Sequence, residues 1–519
     1  MTMKKTVYIL LIAAVAAQAC STDFLEVEPT TTVPEETSYA SESDITKALM
    51  AAYAPLQALD FCSSDTYRPR GEYHPYQFIS DILADDYNAV GGSGPGDCPY
   101  LQLMFDFRLT PEQSLIELWR NLYIGIYRCN IVVNRADGIE GLSDATKVRL
   151  VSEARYLRAF YYHILWKFWG AVPYYDVNPN GSSVGYIVPQ VSEDELYAKI
   201  MEDLDAATAP GALPDAVKIA EVGRANRFAA YMLRADVVML KKDESRYGSV
   251  LAQLQELIGS NIYALTPAFE DIWKDEGEWN CESIWEINYA DNPSNRDWGD
   301  IFAPGGTIYP TFVCPDSYKG TRFAREGYGF GPVSPALKAA FEEGDTRRDA
   351  TIMDFNTDAM EGEKYNPRQG DTGMFNKKYM GRIDGSSNYI GSTCPELNFR
   401  TNLRIYRYSE ALLRAAELLV RTGGSQEEAD RYLNAVRARA FGVAPEDLKG
   451  KARTATLDNL LEEYRLEFAM EGHRFFDLVR FDRADAVLGA KGYNALKRYL
   501  PIPQSEIDRS EGTLKQNNY

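Results

Sequence analysis

Apolar side chains recur every three to four positions through most of residues 45–258 and again over 402–480. That is the period of helices that bury one stripe. The densest case is residues 153–173, EARYLRAFYYHILWKFWGAVP, with Leu157, Tyr161, Ile164, Leu165 and Phe168 on one face. Arg155, Arg158 and Lys167 meet that face only at its edges. Gly170 can take a left-handed stop, and Pro173 blocks continuation. So aromatic a helix needs partner helices, and Tyr161, Tyr162, Trp166 and Trp169 read as core.

The same spacing predicts helices over 45–59, 114–136, 145–169, 192–208, 224–241 and 247–258. Ser43 or Asp44 caps the first, and Ser192 with Glu195 forms a capping box. Successive pairs look like tetratricopeptide-type units, although the strict repeat is missing. The pattern changes over 260–400. Residues 282–289, ESIWEINY, alternate like a strand. Turn-rich stretches follow, including DNPSNRDWGD and FAPGGTIYPT, with a short helix over 334–343. Helices return over 402–422, 425–440 and 456–471. Residues 60–114 are the other irregular stretch and carry the Gly-rich loop NAVGGSGPGDCPY. The fold class is mostly α.

Composition narrows the class. The 519 residues are 45% hydrophobic and 25% charged, a globular balance. The formal charge of −20 leaves no basic stripe for nucleic acid. At the N-terminus, Lys4 and Lys5 precede a short apolar run and then Ala17-Gln18-Ala19-Cys20, which resembles a bacterial lipobox. Residues 1–19 are then a signal peptide, Cys20 is lipidated, and 20–43 is a polar tether. No later segment is apolar enough to span a bilayer. Of seven cysteines none forms a C-x-x-C pair. Cys62 and Cys98 could staple the irregular stretch, and Cys129 reads as a buried thiol.

Several motifs, spread over nearly the whole mature chain, resemble one family. They are the aromatic helix ending in FWGAVP, DFL with Pro29 after Cys20, FISDILADDY at 78–87, the strand at 282–289 and DTRRD at 345–349. They continue with RYSEALLRAAE at 407–417, EYRLEFAMEGHRFFDLVRF at 463–481 and the ending LPIPQSE…LKQNNY. Two positions depart from the pattern, Tyr464 and Asn518. Together they resemble the SusD/RagB family of Bacteroidetes nutrient-binding lipoproteins. The resemblance implies tetratricopeptide-type helix pairs supporting an irregular ligand-binding region: a body over 44–519 with parts 44–259, 260–400 and 401–519. It also implies a lipid-anchored, cell-surface glycan-binding protein of the outer membrane, with a SusC-like TonB-dependent transporter as partner and no cofactor.

Catalytic signals are weak. His163 and His473 read as satisfied helix residues. Asp85-Asp86 could supply half of a glycosidase dyad, but 75 acidic residues make such pairs common. Asp291, Asn295, Asp297 and Asp300 lack calcium-loop spacing. Glu467, Glu471, Arg474, Asp477 and Arg480 place opposite charges at i, i+3 and i+4 on a helix and read as a structural salt-bridge network inside the fold. A non-catalytic binding protein is therefore expected, with a surface glycosidase or a peptide- or protein-binding scaffold as alternatives. Sugars present flat C–H faces that stack on aromatic rings, and hydroxyls that need polar partners. Trp298, Tyr309, Tyr100 and Tyr87 are the expected platforms, and Asp86, Asn88, Arg296 and Asp297 the expected polar contacts. They are expected where 60–110 meets 286–330.

Overall fold

The computed structural model describes residues 39–62, 72–73, 75–94, 97–180, 185–290, 296, 305–320, 324–383 and 394–519. The signal peptide, Cys20 and the tether up to residue 38 lie outside the described residues, as do Asp297 and Trp298.

Ser41 starts α1 (Glu42–Tyr53), its hydroxyl accepting from the Asp44 amide at 3.3 Å. Pro55 then ends the α-helix, and Ala54–Leu59 wind as a 3-10 turn. Next come α2 (Ile116–Arg135), α3 (Asp144–Trp169), α4 (Glu193–Ala207), α5 (Arg227–Lys241) and α6 (Tyr247–Gly259), each packed on the one before. Ser192 caps α4 by accepting from the Glu195 amide at 3.2 Å.

Helix α3 is the axle. Every residue from Tyr156 to Trp169 is buried, so the expected stripe is a helix covered on all sides. Arg158 is therefore no edge residue. It pairs with Asp203 of α4 at 2.6 Å and donates to Asn130 of α2 at 2.8 Å. Gly170 ends α3 at φ +71°, and a Cβ there would stand 2.9 Å from the Tyr499 ring. Both conformation and space demand glycine.

The next neighbour of α6 in space is not its next neighbour in sequence. It packs on α7 (Tyr408–Thr422), which packs in turn on α8 (Gln426–Ala440) and α9 (Leu457–Phe468). Met470 and Gly472 then turn the chain through positive φ into α10 (Arg474–Arg480). Residues 260–402 are thus an excursion between two touching helices. Among the described residues the strands are short antiparallel pairs: β1 (Phe61–Cys62) with β2 (Glu72–Tyr73), β3 (Ser283–Ile287) with β6 (Leu403–Arg407), and β4 (Ile352–Asp354) with β5 (Met374–Asn376). The β3–β6 pair closes the base of the excursion. Residues 403–407 are a strand where periodicity predicts helix, because all five are buried and no face alternates. The excursion has a small core of its own, built from Cys314, Tyr318, Met353, Met360 and Met380.

The expected structural salt-bridge network is present and buried, but its partners come from distant parts of the chain rather than from one helix. Only Arg480 and Asp477 keep the local spacing, at 2.8 Å. Arg407 of β6 reaches Glu282 at 2.5 Å, Glu467 at 2.9 Å and Glu471 at 2.8 Å. Arg347 bonds Asp345 and Glu463 at 2.7 Å and Glu467 at 3.1 Å. Arg439 joins Glu282 and Glu467, Arg437 joins Glu463, and Lys378 joins Glu471. Five cations face five carboxylates, all buried.

Burial alone would raise the Glu467 carboxyl, but Arg439, Arg407 and Arg347 outweigh it and hold the group far below the usual range. Its folded pKa is depressed, so its stabilisation is complete above about 4.3, the ordinary glutamate value, and drains away as pH falls below it. Glu467→Gln should lower the unfolding free energy at pH 7 by roughly 3–5 kcal/mol, because it leaves buried guanidinium groups under-paired. In urea titrations the gap between variant and wild type should narrow below about pH 4.

Candidate functional site

The Gly-rich loop leaves the short helix Tyr76–Asp81 and is clamped at its root. Lys491 donates to the Ile82 and Ala84 carbonyls. Asp85 pairs with Arg474 at 2.8 Å and Arg465 at 3.1 Å, and Asp86 pairs with Arg465 at 2.8 Å. Asp86 is fully buried, which pushes its carboxyl up against the pull of Arg465. It is a clamp, not a surface acceptor for hydroxyls. Tyr87 is equally unavailable: it is 3% exposed, bridges to Val333 and packs its ring on Phe78 at 5.2 Å.

Beyond Tyr87 the loop zips onto residues 327–333. Gly91 pairs with Phe330, and a Cβ on Gly91 would lie 2.4 Å from the Gly329 carbonyl. The two irregular stretches therefore do meet. Asn88 is exposed on this seam and donates to the Gly370 carbonyl at 2.8 Å. Tyr100 is half-buried, on the helix Pro99–Phe105. Cys98 just before it has φ +117° and a free thiol, while the Cys62 side chain lies outside the described residues. Burial pushes that thiol up to about 12. Cys129 is a buried thiol, as expected.

A second knot lies at the base of the 291–304 stretch. Arg296, 2% exposed, donates to Asp60 at 2.8 Å and to the Gln57 carbonyl. Its amide donates to Asn398 Oδ1 at 3.0 Å, and Asn398 Nδ2 donates back to the Arg296 carbonyl at 2.7 Å. The second Asp60 oxygen accepts from the Ile308 amide at 3.0 Å. Gly306 packs so closely that a Cβ would stand 2.3 Å from Asn398 Cα. Arg296 is therefore an anchor rather than a hydroxyl donor at the surface. Tyr309 is 2% exposed and stacks on Tyr379 at 4.9 Å, so it too is framework. Trp273 and Trp285 are buried, and Trp279 donates its indole N–H to Asn288 at 2.9 Å.

Asp60 and Asn398 carried no sequence signal, because their bonds to Arg296 span 236 and 102 positions. The knots bring together the roots of the segments around 60, 296, 306 and 398. Thr307 pairs with Phe399, and the Arg325 guanidinium lies over the Phe399 ring. This end of the molecule is built mainly from loops held by buried polar anchors.

A further cavity lies elsewhere. It is a groove of about 580 Å³ between α2 and the C-terminal helix Gln504–Arg509, with Trp119, Tyr123, Tyr127, Tyr175, Tyr186 and Ile187 in its wall. Its exposed surface is mostly apolar, although Arg120, Asn130, Asn178, Glu506 and Arg509 also line it. Neither location shows a catalytic constellation among the described residues. His163 is buried on Asp236 at 2.7 Å, and His473 stacks on Phe468 at 4.6 Å. Burial depresses both imidazoles. Among the described residues no cluster of His, Cys, Asp and Glu could hold a metal, and no helix is long and apolar enough to cross a membrane.

Residues 281–519 match the model of the SusD family, and residues 23–239 match a model described as starch-binding, associating with outer membrane. The chain belongs to the SusD family. It is similar to surface glycan-binding protein A of Bacteroides thetaiotaomicron in complex with laminarihexaose, at 38% identity and a TM-score of 0.84 over 92% of this chain and 100% of that one. A laminarin-binding SusD-like protein is 28% identical, with a TM-score of 0.81 over 92% of this chain and 99% of that one. The starch-binding protein SusD of B. thetaiotaomicron is 25% identical over 442 residues, covering 74% of this chain and 75% of that protein.

Removing the anchor should leave Asp60 buried and unpaired. Arg296→Met is expected to cost roughly 3–5 kcal/mol in chemical denaturation. Asp60→Asn with Arg296→Met should recover part of that loss.

Proposed function

We propose that this protein is a non-catalytic, cell-surface glycan-binding lipoprotein that captures laminari-oligosaccharides at its loop end and passes them to a SusC-like TonB-dependent transporter. The likeness to a protein solved with laminarihexaose carries the ligand class. The loop end, with the exposed Asn88 on its seam and the buried Arg296 anchor, after which Asp297 and Trp298 follow in sequence, supports the place. The apolar run before Cys20 supports the lipid anchor at the outer membrane.

Calorimetry with laminarihexaose on the mature soluble chain tests the reading. Saturable binding without release of new reducing ends is expected, and failure to bind any soluble glucan sinks it. Trp298→Ala should lose roughly 1–3 kcal/mol of binding, as a large aromatic anchor does, with the melting temperature nearly unchanged. Unchanged affinity with a lower melting temperature would place the site elsewhere. Mass spectrometry of the membrane-extracted N-terminal peptide should find acyl chains on Cys20. An unmodified Cys20 would remove the anchor from the reading.

A further inference from the structure

Between the N-terminal array and the C-terminal helices lies a small buried cavity of about 40 Å³. Its wall includes His163 of α3, Asp236 of α5, Glu410 of α7 and Asp477 of α10. None of these belongs to the loop end. Four residues of its wall carry a buried side-chain atom with no hydrogen-bond partner within the protein: Gln77 Oε1, His163 Nδ1, Glu410 Oε2 and Asp477 Oδ2. His163 is 1% exposed, Glu410 1% and Asp477 5%.

With both carboxyls ionised all four atoms are acceptors, although burial pushes Glu410 up to about 7 and raises Asp477. Asp236 Oδ2 lies 2.7 Å from His163 Nε2, and a carboxylate only accepts, so Nε2 carries the proton. In a neutral imidazole Nδ1 is then an acceptor. Burial favours that neutral form. Glu410 uses only Oε1 toward Arg414, and Asp477 uses Oδ1 toward Arg480. Four acceptors thus line one cavity without a donor from the protein. Leaving them so would cost each its desolvation penalty.

The charges say which donor fits. Asp236, Glu410 and Asp477 face Lys167, Arg414 and Arg480, so these carboxylates are already matched by cations. Glu471, also on the wall, is held by Lys378 and Arg407. No net negative charge remains to hold a metal cation. One water needs roughly 10–15 Å³ of such space, so there is room for about two or three.

We propose that this cavity is a resident hydration site, whose waters donate to His163, Glu410 and Asp477 and so bridge α3, α7 and α10. These helices lie on opposite sides of the 260–402 excursion, so the water joins the two halves of the helical frame. A high-resolution crystal structure of the wild-type mature chain, with a second crystal soaked in rubidium, is the test. The expected result is two or three peaks within hydrogen-bond reach of at least two of His163 Nδ1, Glu410 Oε2 and Asp477 Oδ2, with no anomalous signal from rubidium. An empty cavity overturns the proposal, and so does a rubidium peak, which would make it a cation site. In solution, oxygen-17 relaxation dispersion should count at least one fewer long-lived internal water in Glu410→Met than in the wild type. An unchanged count from a folded variant also overturns it.

Discussion

The structure depends on pairing charges that water cannot reach. Arg407 stands at the centre: it leaves a buried strand, binds Glu282 at the start of the excursion, and meets Glu467 and Glu471 from the C-terminal signature. A buried guanidinium without such partners would be expensive, so these segments must come together or not fold at all. Apolar residues of similar size could stabilise as well. Ion pairs add direction, since a carboxylate has fixed lone pairs and a guanidinium fixed N–H bonds. That directionality suits an architecture whose loop end has few backbone ladders of its own.

The same logic recurs at smaller scale. Asp85 and Asp86 hold the Gly-rich loop onto Arg465 and Arg474, two residues of the signature helices. Asp60, Arg296 and Asn398 hold the neighbouring loops. Side chains that look like ligand contacts by type are spent on anchoring. The surface they support is left to the residues between the anchors.

Helices were legible in the chain because their evidence is local. Periodicity, Ser192 and Gly170 place α3 and α4 within a few residues of their observed ends. The strand at 403–407 was not legible, since a strand buried on both faces has no alternation and leads straight into a helix. The candidate site was legible only as a region. A Tyr in a turn-rich stretch looks exposed until Tyr379 covers it, and nothing near Tyr309 in sequence announces that ring. Likewise Asp86 looks like a free carboxylate until a residue 379 positions away binds it.

The contact between α6 and α7 has a consequence for how the chain is made. A ribosome or export channel delivers α6 long before α7, and for all of residues 260–407 the apolar side chains Val250, Leu254 and Leu257 lack that covering helix. β3 waits as long for β6. Closing so long a loop is slow, although its entropic penalty grows only logarithmically with length. Until then the half-made protein carries a sticky edge and an unpaired strand, both invitations to aggregation. Its folding is therefore a race between arrival of the last hundred residues and capture by the wrong partner.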